Sequence, residues 1–416
     1  MSGKYRGLQA EIRNRNNLAF YVPCAAHSLN LVGQCSVEAS TEASRYFMFL
    51  QKLYAFFANS THRWDVLTRK LQENKKKFTL KSLSSTRWSC REDATKALEA
   101  NYDEIYDSLT AIRDDPNEKK ETKMESSSLV NTLEKFETAF MTIFWNTVLN
   151  QLGAVSNTLQ KPGLDLNTGT QLLQGLQTSI KKHRENFECF EEKTKNLSTH
   201  VDFQYSKKRS DLKRKFPDGQ SLHLEGSTKF KIETYYVSID TLVSELDKRR
   251  EAYSDISRLF GFFGDFRNIE EEELRECARK IVDTYKDDLD IALVEEIVFF
   301  RNFLLTIPNF ENLVPKNMLD IIVEKDLISV FPNMYIVLRI YLTLAVTNCE
   351  SERSFSKLSF IKNELRSSMG ETRLVSLAIC SIEHDVLRSI NFEDIIKTFV
   401  RNKHRKKALP FSFSTS

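Results

Sequence analysis

Apolar residues recur along this chain mostly at helical spacing. Between 94 and 109, 129 and 152, and 163 and 187, they return every three or four positions with polar residues between, which predicts helix after helix. The same period runs through 237–253, 270–285 and 294–305. Residues 41–78 read as helical with an aromatic-rich stripe: Tyr46, Met48, Phe49, Leu53, Phe56 and Phe57, continued by Trp64, Leu67 and Leu71. Near the start, 3–14 reads as a short amphipathic helix with Leu8 and Ile12 turned inward. Leu18-Ala-Phe-Tyr-Val22 is β-prone and predicts a buried strand closed by Pro23, with a helix from Cys24 onward. Toward the C-terminus, Phe355, Leu358, Ile361 and Leu365 mark one helix, and Leu374, Leu377, Ala378, Ile382 and Leu387 stripe another beyond Gly370. Two adjacent amphipathic helices need an apolar partner, either the rest of the chain or a second copy.

Composition narrows this picture. Among 416 residues, 12 Gly and 8 Pro are few chain breakers, which favours long helices over a many-turned β architecture. The length allows two or three domains. A net charge of +3 is too small to imply a nucleic-acid partner by itself. Seven cysteines, odd in number and without a CxxC pair, point to a reducing compartment and away from a disulfide framework or structural zinc. The opening residues lack the apolar core of a secretion signal. The longest apolar run, 335–346, is broken by Arg339 and falls short of a membrane span. A soluble nuclear or cytosolic protein is therefore expected.

Candidate chemistry is sparse. No phosphate-cradling Gly-rich loop and no GxSxG elbow occur. Cys24-x-x-His27 has half of a zinc ligand set, but no further pair stands nearby; a buried thiol and a satisfied histidine at a helix start is the preferred reading. Arg87-Trp88, in a Ser-rich stretch, has two readings. The pair can stack an unpaired base and touch phosphate, or Trp88 can anchor the next helix with 84–86 as its cap. The basic run 207–215, followed by Pro217 and Gly219, reads as a solvated linker or as a nuclear-import or phosphate-steering patch, and so does the tail 401–407.

The run SERSFSKLSFIKNELRSSM, followed by RLVSLAICSIEHD and NFEDIIKTFV, resembles the C-terminal dimerisation region of hAT-superfamily transposases. It is most similar to the domesticated branch labelled zinc-finger MYM-type protein 1-like. The resemblance implies a mainly α chain: a partial ribonuclease-H-like (α/β) remnant interrupted by a large all-helical insertion. In domains, 1–34 would be the remnant, 35–330 the insertion, 331–400 the dimerisation region and 401–416 a basic tail. By the same resemblance Glu352 is the third carboxylate of the catalytic triad, and Phe355, Leu358, Ile361, Leu365, Leu374, Leu377 and Ile382 are the dimerisation residues. PCAAHSLNL and TRW are similar to motifs that meet DNA in the family, which puts Cys24, His27, Arg87 and Trp88 at a DNA surface.

The family's two catalytic aspartates precede the segment at which this sequence opens. Two-ion phosphoryl transfer places divalent ions about 4 Å apart between carboxylates, and Glu352 alone cannot hold them. No resident metal or cofactor is expected, Mg²⁺ entering only if that acidic pair were supplied. The implied function is a catalytically inactive, nuclear, DNA-associated dimerisation module that pairs with itself or with a hAT relative, without a membrane. Two alternatives are a fragment of an active transposase and a transcription or chromatin factor on the same scaffold.

Overall fold

The computed structural model describes residues 7–74, 79–83, 89–161, 164, 166–205, 214–215, 221–222, 226–307, 314–344, 349–363, 366 and 368–401. The protein is mainly α. Helices α1 (Leu8–Arg15), α2 (Ala25–Glu38), α3 (Thr41–Ala58), α4 (Thr61–Glu73), α5 (Ser89–Ala100), α6 (Tyr102–Asp114) and α7 (Lys120–Leu133) lead to the long α8 (Phe136–Leu159). After α9 (Leu166–His183) and α10 (Phe187–Lys195), a short hairpin pairs β1 (Arg214–Lys215) antiparallel with β2 (Ser221–Leu222). Then follow α11 (Gly226–Phe230), α12 (Val237–Phe260), α13 (Glu271–Thr284), α14 (Leu293–Leu305), α15 (Pro315–Glu324) and α16 (Pro332–Leu342). The last elements are α17 (Cys349–Ile361), α18 (Glu371–Ile382), α19 (His384–Ser389) and α20 (Glu393–Arg401). Residues 1–347 form one compact unit and 348–416 a second.

The first unit is built around α8. Its first half, FETAFMTIFW, is buried on every side, and the helix sits at the centre, packed against α2, α3, α5, α7, α9 and α10. Phe140, Phe144 and Trp145 are fully buried. Phe140 and Phe144 meet Phe190 and Tyr235 edge-on or tilted, with centroids 5.1–6.1 Å from their aromatic neighbours. Tyr235 comes from a π-helical turn, Lys231–Tyr236, which joins α11 to α12. Its hydroxyl donates to the His183 carbonyl at the end of α9, and burial pushes it well above the usual phenol range.

Further along, buried polar side chains hold α13, α14 and α16 together. The Glu296 carboxylate on α14 accepts from the Met334 N–H at 2.7 Å and the Asn333 amide at 2.8 Å, which satisfies the open amino end of α16 behind Pro332. Arg301, with its side chain only 8% exposed, donates to the Ile269 carbonyl at 2.6 Å and to Glu271 at 3.0 Å.

Two sequence expectations fail here. Leu18–Val22 forms no strand: the segment is non-helical and has no ladder partner, and the Leu18 N–H donates to the Asn16 side chain. Its apolar side chains pack on the core instead, and Tyr253 ties the segment down by donating to the Pro23 carbonyl at 2.5 Å. β-propensity without a neighbouring strand yields extended coil. Leu8 and Ile12 are exposed, because α1 buries no residue. The stretch read as helical from 41 is two helices divided at Ser60, whose hydroxyl accepts from the Arg63 N–H and starts α4. Its aromatic stripe is buried except for Met48, which faces solvent, and Trp64, which is half-buried.

Candidate dimerisation surface

The second unit has a different character. Among the residues between 349 and 401 whose side chains the structure describes, none is buried. The helices nevertheless form for clear local reasons. Gly370 carries extended backbone ahead of α18, its carbonyl accepts the first helical bond from Leu374, and Glu371 sits in the first turn where the helix dipole favours it. At the other end, the Lys357 ammonium on α17 donates to the Ile382 carbonyl at 3.1 Å, which caps α18 and locks the two helices together. On α20 the Asn391 side chain accepts from the Glu393 N–H at 3.0 Å.

α17 and α18 pack on each other, and their half-buried apolar positions are Leu358, Ile361, Leu374, Ala378 and Ile382. Of the residues expected to dimerise, these include Leu358, Ile361, Leu374 and Ile382; Phe355 and Leu377 are exposed, and Leu365 lies outside the described residues. The exposed apolar groups go further. Phe355 is 69% and Phe360 80% exposed, and Val375, Ile379, Val386, Ile390, Ile395 and Phe399 are also open to solvent. Phe360 sits one position off the 358/361/365 stripe, so helical spacing alone does not point to it. Ile395 and Phe399 do show helical spacing and are discoverable from sequence.

The remaining candidates are scattered. Cys24 is the N-cap of α2 and half-buried, and its side chain caps nothing. His27 is exposed, so the buried, satisfied pair expected from sequence is not formed. Arg87 and Trp88, immediately before α5, lie outside the described residues, and so does the side chain of Glu352 on α17. Among the described residues no three His, Cys, Asp or Glu side chains gather as metal ligands. No described helix is long and apolar enough to cross a membrane.

Comparison with known proteins converges on the same stretch. Residues 299–386 match the hAT family C-terminal dimerisation region. That region runs from within α14 into α19, so it takes in α15 and α16 of the first unit as well as α17 and α18. The chain is also similar to the human protein named 52 kDa repressor of the inhibitor of the protein kinase, at 22% identity over 98% of this chain and 54% of that protein. The mouse protein of the same name is 23% identical over 80% of this chain and 44% of its own length. The chain thus spans about half the length of these curated relatives. No solved structure matches it.

Proposed function

We propose that this hAT-derived chain works as a non-catalytic dimerisation module, pairing with a second copy of itself or with a related hAT-derived protein. The observation that supports this best is the combination, in a stretch that the dimerisation region matches as far as residue 386, of many exposed apolar side chains and no buried one among the described residues. The described apolar side chains of α17 to α20 are left largely in water, and burial against a partner recovers about 25 cal/mol per Å² of that surface. The reading extends to domains: 331–400 is the dimerising part, 35–330 a helical scaffold, and 1–34 the remnant of a ribonuclease-H-like unit.

Catalytic inactivity is part of the proposal. Glu352 is the one residue that the family likeness assigns to a carboxylate site here, and two-ion phosphoryl transfer needs several carboxylates. Nuclear residence is supported by the basic runs 207–215 and 401–407. DNA association through Arg87, Trp88, Cys24 and His27 rests on the family likeness; with it, Trp88→Ala weakens single-strand binding by about 1–3 kcal/mol, and an unchanged affinity assigns Trp88 to packing.

The human relative's name favours a second reading, in which the dimer is a regulatory protein acting through bound partners. Sedimentation of the full chain tests the main proposal. A dimer that the paired substitutions Leu358→Asp and Leu377→Asp convert to monomer supports it, and a dimer indifferent to them refutes the surface.

A further inference from the structure

The matched dimerisation region begins at Phe299, inside the first unit, and apolar surface is already exposed there. Phe299 on α14 is 56% exposed, although its ring lies 5.1 Å from that of the buried Phe331. Phe331 closes the turn between α15 and α16. Just past the end of α15, Asp326 has φ of 53°, the one positive φ at a non-glycine among the described residues and a conformation Asp tolerates better than most. This left-handed step lets the Leu327 N–H reach back to the Ile322 carbonyl at 2.8 Å, so α15 ends in a Schellman motif. The Val330 and Phe331 N–H groups both donate to the Leu327 carbonyl, at 3.0 and 2.9 Å. The turn so fixed packs Leu327 and Phe331 on the core and leaves Ile328 and Val330 38% and 45% exposed.

We infer that this patch, Phe299 with Ile328 and Val330, belongs to the dimer interface and is covered by a second copy of the chain. This rests on the proposed dimer and carries its surface from the second unit onto the first. The whole patch falls within the stretch matched as a dimerisation region. Leu8 and Ile12 on α1 are as exposed, 57% and 48%, yet lie outside that stretch, so exposure by itself does not mark an interface. Area points the same way. A stable interface draws on about 20–30 residues a side, with a desolvated apolar centre. Among the described residues, 349–386 offers six exposed large apolar side chains on α17, α18 and α19, too few to fill such an interface. The remainder of the matched region lies in the first unit, where this patch stands. Exposed Glu324, Lys325 and Asp326 flank it and supply the polar rim that interfaces carry. A turn already held by its own backbone bonds loses little freedom when a partner covers it.

Sedimentation equilibrium of full-length chains tests this, with urea unfolding of the dilute monomer as a second readout. Phe299→Ser with Val330→Asp raises the dimer Kd by more than about tenfold and leaves the monomer's urea midpoint in place. Ile328→Ser alone, a milder change, raises the Kd several-fold. Leu8→Ser with Ile12→Asp, matched in exposure but outside the region, leaves the Kd unchanged. A Kd unmoved by the Phe299/Val330 and Ile328 changes overturns the inference; if Leu377→Asp still breaks that dimer, the proposed function stands. Equal weakening by the α1 pair shows unspecific apolar association and also overturns it. A lowered urea midpoint with an unchanged Kd assigns the patch to packing within the chain, again against the inference. A wild-type chain that is monomeric throughout overturns both.

Discussion

The two units of this chain spend their apolar residues in opposite ways. In residues 1–347, large aromatic side chains such as Trp145, Phe144 and Tyr235 converge on α8 and are sealed from water. In 349–401, Phe355, Phe360, Ile379 and Phe399 are just as apolar, yet they remain open to solvent. Both regions have well-formed helices, caps and amphipathic stripes, so local structure does not explain the contrast. Chain length and topology do. The first unit folds enough helices around α8 to enclose it, whereas the described apolar residues of the second are at most half-buried. The first region stores its stability internally, and the second has surface available for a partner.

That contrast can be broken from either side. The largest expected effect is in the first unit, where Phe144→Ala leaves a cavity among Phe190, Tyr235 and Trp145 and costs about 3–5 kcal/mol of unfolding free energy by denaturant titration. The cost should not depend on protein concentration. Next, Glu296→Ala removes the carboxylate from the Met334 N–H and the Asn333 amide and should cost about 1–3 kcal/mol. In the second unit, Phe360→Ser should change the unfolding free energy of the monomer by less than about 0.5 kcal/mol. The same change should weaken dimerisation measurably, so stability and association part company there. A Phe360→Ser chain destabilised as much as Phe144→Ala would erase the distinction between the units.

A fourth, smaller effect concerns pH. Burial, with Lys193 adding to it, holds the His183 imidazole below its ordinary range, while its Nε2 lies 3.1 Å from the Gln151 amide. The folded state thus favours the neutral ring. The stability this contributes is complete above the unfolded-state pKa, about 6.5, and is lost as pH falls through that value toward the lower folded one. Urea melts of the wild type between pH 7.5 and 5 should show a modest decline that His183→Gln flattens. An identical slope in both would remove His183 from the account.

Much of the fold is legible in the sequence because helical periodicity is a local signal. The stripes at 129–152 and 237–253 fall within α7, α8 and α12, and the break between α3 and α4 is marked by Ser60, a recognisable cap. What periodicity cannot show is whether a segment has a neighbour. Leu18–Val22 has strand-forming residues and no strand to pair with. Leu8 and Ile12 have the right spacing and nothing to cover them. The π-helical turn that aims Tyr235 into the core leaves no mark in the spacing. For the candidate surface, the stripes of α17 and α18 were readable, including Leu358, Ile361, Leu374 and Ile382. That these stay only half-buried, and that Phe360 and Ile379 stand beside them in solvent, depends on how little chain surrounds them. Tertiary context decided it.

The central claim is that residues 349–401 are completed by a second protein surface. Sedimentation equilibrium of the full chain across a wide concentration range, with Leu377→Asp alongside, tests it most directly. The account predicts a reversible dimer for the wild type and a folded monomer for the variant. A chain that stays monomeric at every concentration, or a dimer unmoved by Leu377→Asp, would contradict it.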